Sequence, residues 1–279
     1  MGKYLIWGGN GWIGSMLKKL LQDQEHEVIV AKSRLQDYVG ITNELEEIKP
    51  DFVLNVAGIT GRPTVDWCES NKQDTYLINT VGTINIADAC WRKGIHLTYY
   101  ATGCIYSYDE THPVGTKFSE IDPPNFRGST YSISKAYAED VIQHYDNVLI
   151  LRIRMPISAD YNPKSLVFKL TKYTKVINIP NSLTILPEML PISIQMLQSK
   201  LTGVYNFTNP GAISHNEILA LYKKHINPDF TWNNFSEEEQ NVILKSRRSN
   251  CYLDTSKLEA FTPVTEVHVA LDKLLQQMV

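Results

Sequence analysis

Tyr4-Leu5-Ile6-Trp7-Gly8-Gly9-Asn10-Gly11-Trp12-Ile13-Gly14 is the stretch whose reading decides the fold. An apolar run of strand character stops at Gly8. From Ile13 onward Met16, Leu17, Leu20 and Leu21 recur at helical spacing. A strand, a glycine turn and a helix in direct succession form a phosphate-binding corner. The glycines permit a tight turn, a close backbone approach to a pyrophosphate and close packing of helix on strand. The helix N-terminus adds partial positive charge for the phosphates. A glycine-rich turn with no ligand is the bland alternative, and the context on both sides weighs against it. Gly8, Gly11, Trp12, Ile13 and Gly14 are therefore candidate cofactor-binding residues, at GxxGxxG rather than GxGxxG spacing.

Outward from this corner, short β-rich runs alternate with helical patterns. Strands are expected at 28–30, 52–56, 96–100 and 148–153. Helices are expected near 41–48, from about 130 to 143, and along a longer pattern that places Leu77, Val81, Ile84 and Ala87 on one face. Such alternation implies βαβ units and a parallel sheet covered on both faces. The expected fold class is α/β: a Rossmann-type doubly wound parallel sheet in a domain spanning 1–159. A smaller mixed C-terminal substrate lobe is expected over 160–279, with some segments returning to the main sheet. There Pro163, Pro180, Pro187 and Pro191 break the chain into shorter pieces. Ser214-x-x-Glu217 and Ser236-x-x-Glu239 read as capping boxes opening helices.

Composition narrows the function classes. In 279 residues the apolar fraction is 43% and the charged fraction 20%, which excludes wholesale disorder. A formal net charge of −3 is a poor footprint for a nucleic-acid binder. No apolar run approaches the roughly 18–20 residues of a membrane span. The N-terminal stretch lacks the pattern of a secretory signal. Cys68, Cys90, Cys104 and Cys251 lie far apart, as reduced thiols of a cytoplasmic protein do. The seven histidines show no ligand spacing, so no metal site is expected.

Three further places carry chemistry. Ala31-Lys32-Ser33-Arg34, after the second strand, has no acid before Asp37, whereas an NAD site wants one to bond the ribose hydroxyls. Ser33 and Arg34 suit a 2′-phosphate, so NADPH (NADP+) is the expected cofactor; the alternative is that Lys32 and Arg34 are merely solvated loop charges. Tyr131-Ser132-Ile133-Ser134-Lys135 puts a phenol and an ammonium on one helix face. A nearby cation favours phenolate, and the phenol can then protonate a carbonyl oxygen while hydride reaches its carbon. Thr102, at the end of the fourth strand, supplies a third hydrogen bond. Cys104 follows two residues later, at a strand's carboxyl end where such sheets place chemistry. A buried small hydrophobe is the usual fate of a free cysteine, and Cys68, Cys90 and Cys251 keep that reading. A thiolate at Cys104 would instead remove an acidic proton beside a ketone.

GxxGxxG, with Asn55-Val56-Ala57-Gly58 ending the third strand, resembles the extended short-chain dehydrogenase/reductase superfamily. The resemblance places Asn55, Ala57 and Gly58 beside the cofactor, together with Tyr131 and Lys135. Nearly end to end, the chain resembles the bifunctional nucleotide-sugar 3,5-epimerase/4-reductases of L-rhamnose synthesis, known from plants and some large viruses. The segments that carry it include GWIGSMLKKL, AGITGRPTVDWCES, YATGCIYSYDETHPVG, LRIRMPIS, VINIPNS and RRSNCYLDTSKL. The resemblance implies an oxidoreductase and isomerase in one chain. It would epimerise UDP- (or dTDP-) 4-keto-6-deoxy-D-glucose on both sides of its ketone and reduce the product with NADPH to nucleotide-L-rhamnose.

Carried over residue by residue, Thr102, Tyr131 and Lys135 match the reductase triad and Cys104 the epimerase cysteine. Lys169, in NPKSLVFKLTKY, matches the paired lysine, against the alternative of a surface helix lysine. Arg248 resembles an arginine that grips the substrate pyrophosphate, a role Arg247 could take instead. Val65, Asp66, Asn79 and Asn178 are weaker substrate-binding candidates. The competing readings are a 4-keto-rhamnose reductase without epimerase activity and a non-catalytic NADP-binding regulatory subunit. The expected partner is the nucleotide sugar, with neither nucleic acid nor membrane; a homodimer is left open, since no exposed stripe requires one.

Overall fold

The computed structural model describes residues 1–61 and 64–278. Six strands form one sheet in the spatial order Glu27–Val30, Lys3–Trp7, Phe52–Asn55, His96–Thr102, Val148–Ile153 and Gly203–Asn206. The pairings of the first four strands are parallel and in register, Leu5 lying between Ile29 and Val53, and Val53 in turn beside Leu97. The third strand lies on the opposite side of the first from the second, so the strand order reverses between Lys3–Trp7 and Phe52–Asn55. That reversal is the topological switch point, outside whose carboxyl ends ligands bind. Gly8 follows one of these strands and Val56 the other.

The chain falls into two compact units that no single cut separates. The first comprises Met1–Thr102, Arg127–Arg152 and Leu190–Tyr205; the second comprises Gly103–Phe126, Ile153–Met189 and Asn206–Val279. A boundary after residue 159 therefore describes them incompletely. Residues 103–126 belong to the second unit, and 190–205 join the first to supply most of the sheet's last strand. The first unit's core includes Leu5, Trp7, Val53, Leu97, Tyr99 and Ile150, buried between sheet and helices. Each such side chain contributes about 1.5–3 kcal/mol of burial. The second unit has its own core, built from Ile157, Val167, Leu183, Ile213, Leu219 and Leu271. Both capping boxes form, at Ser214 with Glu217 and at Ser236 with Glu239.

Two local expectations are corrected. The long helical pattern is not one regular helix: Lys72–Tyr76 runs into a π-helical stretch, Leu77–Val81, before Gly82–Arg92 resumes α geometry. The wider turn shifts which face points inward. Leu77 and Val81 are exposed, while Thr75, Asn79, Thr83, Ile86, Ala87 and Cys90 are buried. Pro187 and Pro191 do not shorten the chain into pieces; both lie inside the helix Leu186–Gln198. Pro187 falls in the first turn, where an N–H has no intrahelical partner anyway, and only Pro191 removes a helical bond. Among the described residues no helix is long and apolar enough to cross a membrane.

Candidate active site

The glycine corner is built as tightly as its sequence demands. Gly8 has φ +82°, and a Cβ there would come within 2.7 Å of Ala57 N. A Cβ on Gly14 would come within 2.2 Å of Gly8 O, so the helix Trp12–Asp23 sits directly on the turn. Gly11 N donates to Gly8 O at 2.8 Å. Gly11 caps this helix with no side-chain hydrogen bond and no acid occupies its first turn, which leaves the helix N-terminus suited to an anion. Beyond the turn, Asn55 is fully buried. Its Oδ1 accepts from Ala57 N at 3.0 Å, while its Nδ2 lacks a hydrogen-bond partner. Ser33 Oγ is likewise buried without one. Unsatisfied buried donors are costly and mark places where a ligand group completes the bonding. These residues fit a dinucleotide.

At the end of the second strand the structure supplies an acid that local sequence does not. Glu44, from the helix Tyr38–Ile48, accepts from Lys32 N at 2.7 Å and Ser33 N at 2.9 Å. Its carboxylate is thus spent on the loop backbone. Arg34 is exposed.

Also in the first unit, Ser129 opens the helix Thr130–Ile142, accepting from Ser132 N. Glu69 grips the same end, taking Thr130 N and Thr130 Oγ1 at 2.7 Å each. One turn separates Tyr131, half-buried, from Lys135, which is 7% exposed. Lys135 Nζ lies 4.3 Å from the centre of the Tyr99 ring and donates to Tyr100 O at 3.4 Å. Burial pushes its pKa down to about 7, against an opposing pull from Glu139. The helix packs on the strand that ends in Thr102, a residue only 4% exposed. Asn79, expected as a substrate contact, makes three hydrogen bonds within the protein. It is 1% exposed; its Oδ1 takes Ile59 N, and its Nδ2 gives to Ile59 O and to Ser134 Oγ. It ties the loop after the third strand to the Tyr131 helix. Val65 and Asp66 form a half-buried turn in which Asp66 Oδ2 accepts from Thr64 Oγ1.

The second unit holds Cys104, partly exposed, while Cys68, Cys90 and Cys251 are buried. Arg154 Nη1 donates to Cys104 Sγ at 3.3 Å. Lys169, in the short helix Leu166–Leu170, interacts electrostatically with Cys104. Its pKa is lowered, first by the surrounding protein and then by Lys164, with Cys104 pulling the other way, although much of the side chain remains exposed. Arg248 Nη1 donates to Ser246 O at 2.8 Å and to Ser246 Oγ at 2.5 Å. Asn178 is exposed.

The residues that sequence reasoning missed gather around Arg154. Asn181, fully buried, accepts from Arg154 Nη2 and from Cys251 N; Ser249 accepts from Arg154 Nη1 through Oγ and from Nη2 through its backbone oxygen. The signal was present in Leu151-Arg152-Ile153-Arg154, where two arginines sit in an otherwise apolar run. Buried arginine is uncommon enough to demand a reason.

A glycine corner at the switch point of a parallel sheet and a tyrosine–lysine helix on the central strand define a Rossmann-like α/β protein. More specifically, the chain belongs to the RmlD substrate binding domain family, whose model matches residues 2–279. It is 51% identical over 263 residues to a bifunctional dTDP-4-dehydrorhamnose 3,5-epimerase/dTDP-4-dehydrorhamnose reductase of Arabidopsis thaliana, covering 93% of this chain and 87% of that protein. It is 48% identical over 264 residues to a trifunctional UDP-glucose 4,6-dehydratase/UDP-4-keto-6-deoxy-D-glucose 3,5-epimerase/UDP-4-keto-L-rhamnose-reductase of the same plant. That match covers 94% of this chain and 40% of the longer relative. Among solved structures, the L780 UDP-rhamnose synthase of Acanthamoeba polyphaga mimivirus superposes with a TM-score of 0.96 at 41% identity, covering 99% of each chain.

Proposed function

We infer that this protein is a bifunctional nucleotide-sugar 3,5-epimerase/4-reductase that converts UDP- (or dTDP-) 4-keto-6-deoxy-D-glucose to nucleotide-L-rhamnose. The observation that carries the reading is Cys104, whose sulfur meets the Arg154 guanidinium in a chain that also keeps Thr102, Tyr131 and Lys135. A reductase has no need of that thiol.

In the epimerase half, the Cys104 thiolate takes a proton from a carbon beside the ketone. The S–H bond forms as the C–H bond breaks, and the electron pair moves onto the ketone oxygen. The Lys169 ammonium then gives its proton to the opposite face of the same carbon, and its lowered pKa eases that step. Proton exchange with water resets both groups before the second carbon is inverted. In the reductase half, Tyr131 gives its phenolic proton to the ketone oxygen, with Thr102 and Lys135 steadying the developing charge. NADPH, when bound, supplies the hydride. Gly8, Gly11, Trp12, Ile13 and Gly14 would hold its pyrophosphate, Asn55, Ala57 and Gly58 its ribose and nicotinamide side, and Ser33 and Arg34 its 2′-phosphate. Arg248 would meet the substrate pyrophosphate, with Val65, Asp66 and Asn178 as further contacts. In this reading the enzyme works in a reducing, cytoplasmic setting, where Cys104 stays a thiol.

The test is turnover of UDP-4-keto-6-deoxy-glucose with NADPH in deuterated water, with the product read by NMR. L-rhamnose carrying deuterium at both carbons beside the former ketone is the expected result. A reduced D-sugar without deuterium would leave a plain reductase.

A further inference from the structure

Arg154 is 1% exposed, and its guanidinium donates to Cys104 Sγ at 3.3 Å, Ser249 Oγ at 3.0 Å, Ser249 O at 2.6 Å and Asn181 Oδ1. No carboxylate pairs with it among the described residues. A guanidinium stays protonated in any protein setting, so a full positive charge is buried here, and burying one is costly unless an anion answers it. Of the four acceptors, only the sulfur can become that anion. The other titratable groups nearby do not compete. Tyr108 is pushed up to about 12, chiefly by burial, and His215 is pushed down to about 4 by burial and then by Arg154; both are neutral near pH 7. Cys251 is buried with its Sγ toward Gly103 O. Lys169 also acts on Cys104, and its charge is again positive.

The packing holds this arrangement in place. Arg154 N donates to Thr184 Oγ1 and Arg154 O accepts from Thr184 N, which pins the backbone. Asn181 is itself oriented by Cys251 N and Asn250 Oδ1. Gly103 keeps space before Cys104: a Cβ there would come 2.6 Å from Leu253 Cδ1 and 3.6 Å from Arg154 Cδ.

We propose that Arg154 is a positioning residue for epimerisation, holding Cys104 Sγ and serving as the counter-ion of its thiolate, with Ser249 and Asn181 fixing the guanidinium plane. The proposal rests on the reading of Cys104 as the proton-abstracting group.

The test follows Cys104 alkylation by iodoacetamide at about pH 7, read by peptide mass spectrometry, in the full-length wild type, Arg154→Gln and Arg154→Lys. The glutamine variant should alkylate Cys104 at least about tenfold more slowly, and the lysine variant should recover most of the rate. Cys68, Cys90 and Cys251 should stay unreactive throughout. The thiolate ultraviolet absorbance of the wild type, taken as its difference from Cys104→Ser, should vanish in Arg154→Gln. Equal alkylation rates in the wild type and the glutamine variant overturn the proposal. So does a wild type with no such absorbance, and that measurement does not depend on any Arg154 variant folding. Deuterium uptake by the keto sugar is measured in parallel. An Arg154-dependent thiolate without uptake in the wild type would uphold the Arg154–Cys104 pair and remove the epimerase reading. Uptake without a thiolate signal would do the reverse.

Discussion

Arg152 and Arg154 stand two residues apart, one in each compact unit, and both are buried. Arg152 is answered in full: its Nε and Nη2 donate to Glu139 Oε1 at 2.9 and 2.6 Å. Arg154 is answered by neutral oxygens and a thiol. The first arrangement is a buried ion pair. The second leaves a buried positive charge beside the thiol of Cys104. Equal burial therefore hides different work, and the partner's chemistry tells the two apart.

The largest expected effect tests the reactive side of this contrast. Cys104→Ser should cut deuterium uptake beside the ketone by about 10²–10⁴-fold, the usual span for loss of a general base. Reduction of pre-epimerised keto-rhamnose should survive. Equal loss of both activities would merge the two halves of the mechanism. Tyr131→Phe is the mirror experiment: NADPH oxidation should fall over a similar range while deuterium uptake persists.

On the structural side, Glu139→Gln leaves Arg152 buried without its anion. It should destabilise the protein by about 3–5 kcal/mol in urea unfolding. A variant as stable as the wild type would erase the distinction between the two arginines.

Lys135 offers a third buried cation, handled in a third way. Its folded pKa of about 7 lies below the ordinary 10.5, so between those pH values the unfolded chain binds more protons than the folded one. Stability from this group therefore rises with pH through that window, and the full cost of burying the charge is present below it. Lys135→Met should raise Tm, more at about pH 6 than at about pH 9. A gain independent of pH would mean that the lysine pays no burial cost. The smallest effect belongs to the cofactor loop. Arg34→Ala should lower the preference for NADPH over NADH by about tenfold in kcat/KM, a change of about 1.4 kcal/mol.

Much of the site was legible because it depends on short-range rules. Gly8, Gly11 and Gly14 announce a turn with no room for side chains, and Tyr131 and Lys135 share a helix face by periodicity alone. Other features were illegible because distant segments create them. The π-helical stretch at Leu77–Val81 shifts the inward face that a regular period assigns. Glu44 reaches the second strand's end from a helix. The bonds that tie Asn79 to Ile59 and Ser134 join segments 20 and 55 residues apart.

The amino-acid sequence by itself determined the alternation of strands and helices, the tight glycine turn and the helix face that Tyr131 and Lys135 share, since each follows from local propensity and spacing. Only the tertiary structure decided which buried charges meet a carboxylate and which lie beside neutral oxygens and a thiol. That depends on Glu139 reaching Arg152, and on Asn181 and Ser249 reaching Arg154 from 27 and 95 residues away. The energy of a buried charge is set by what surrounds it in space, and chain order does not record those neighbours.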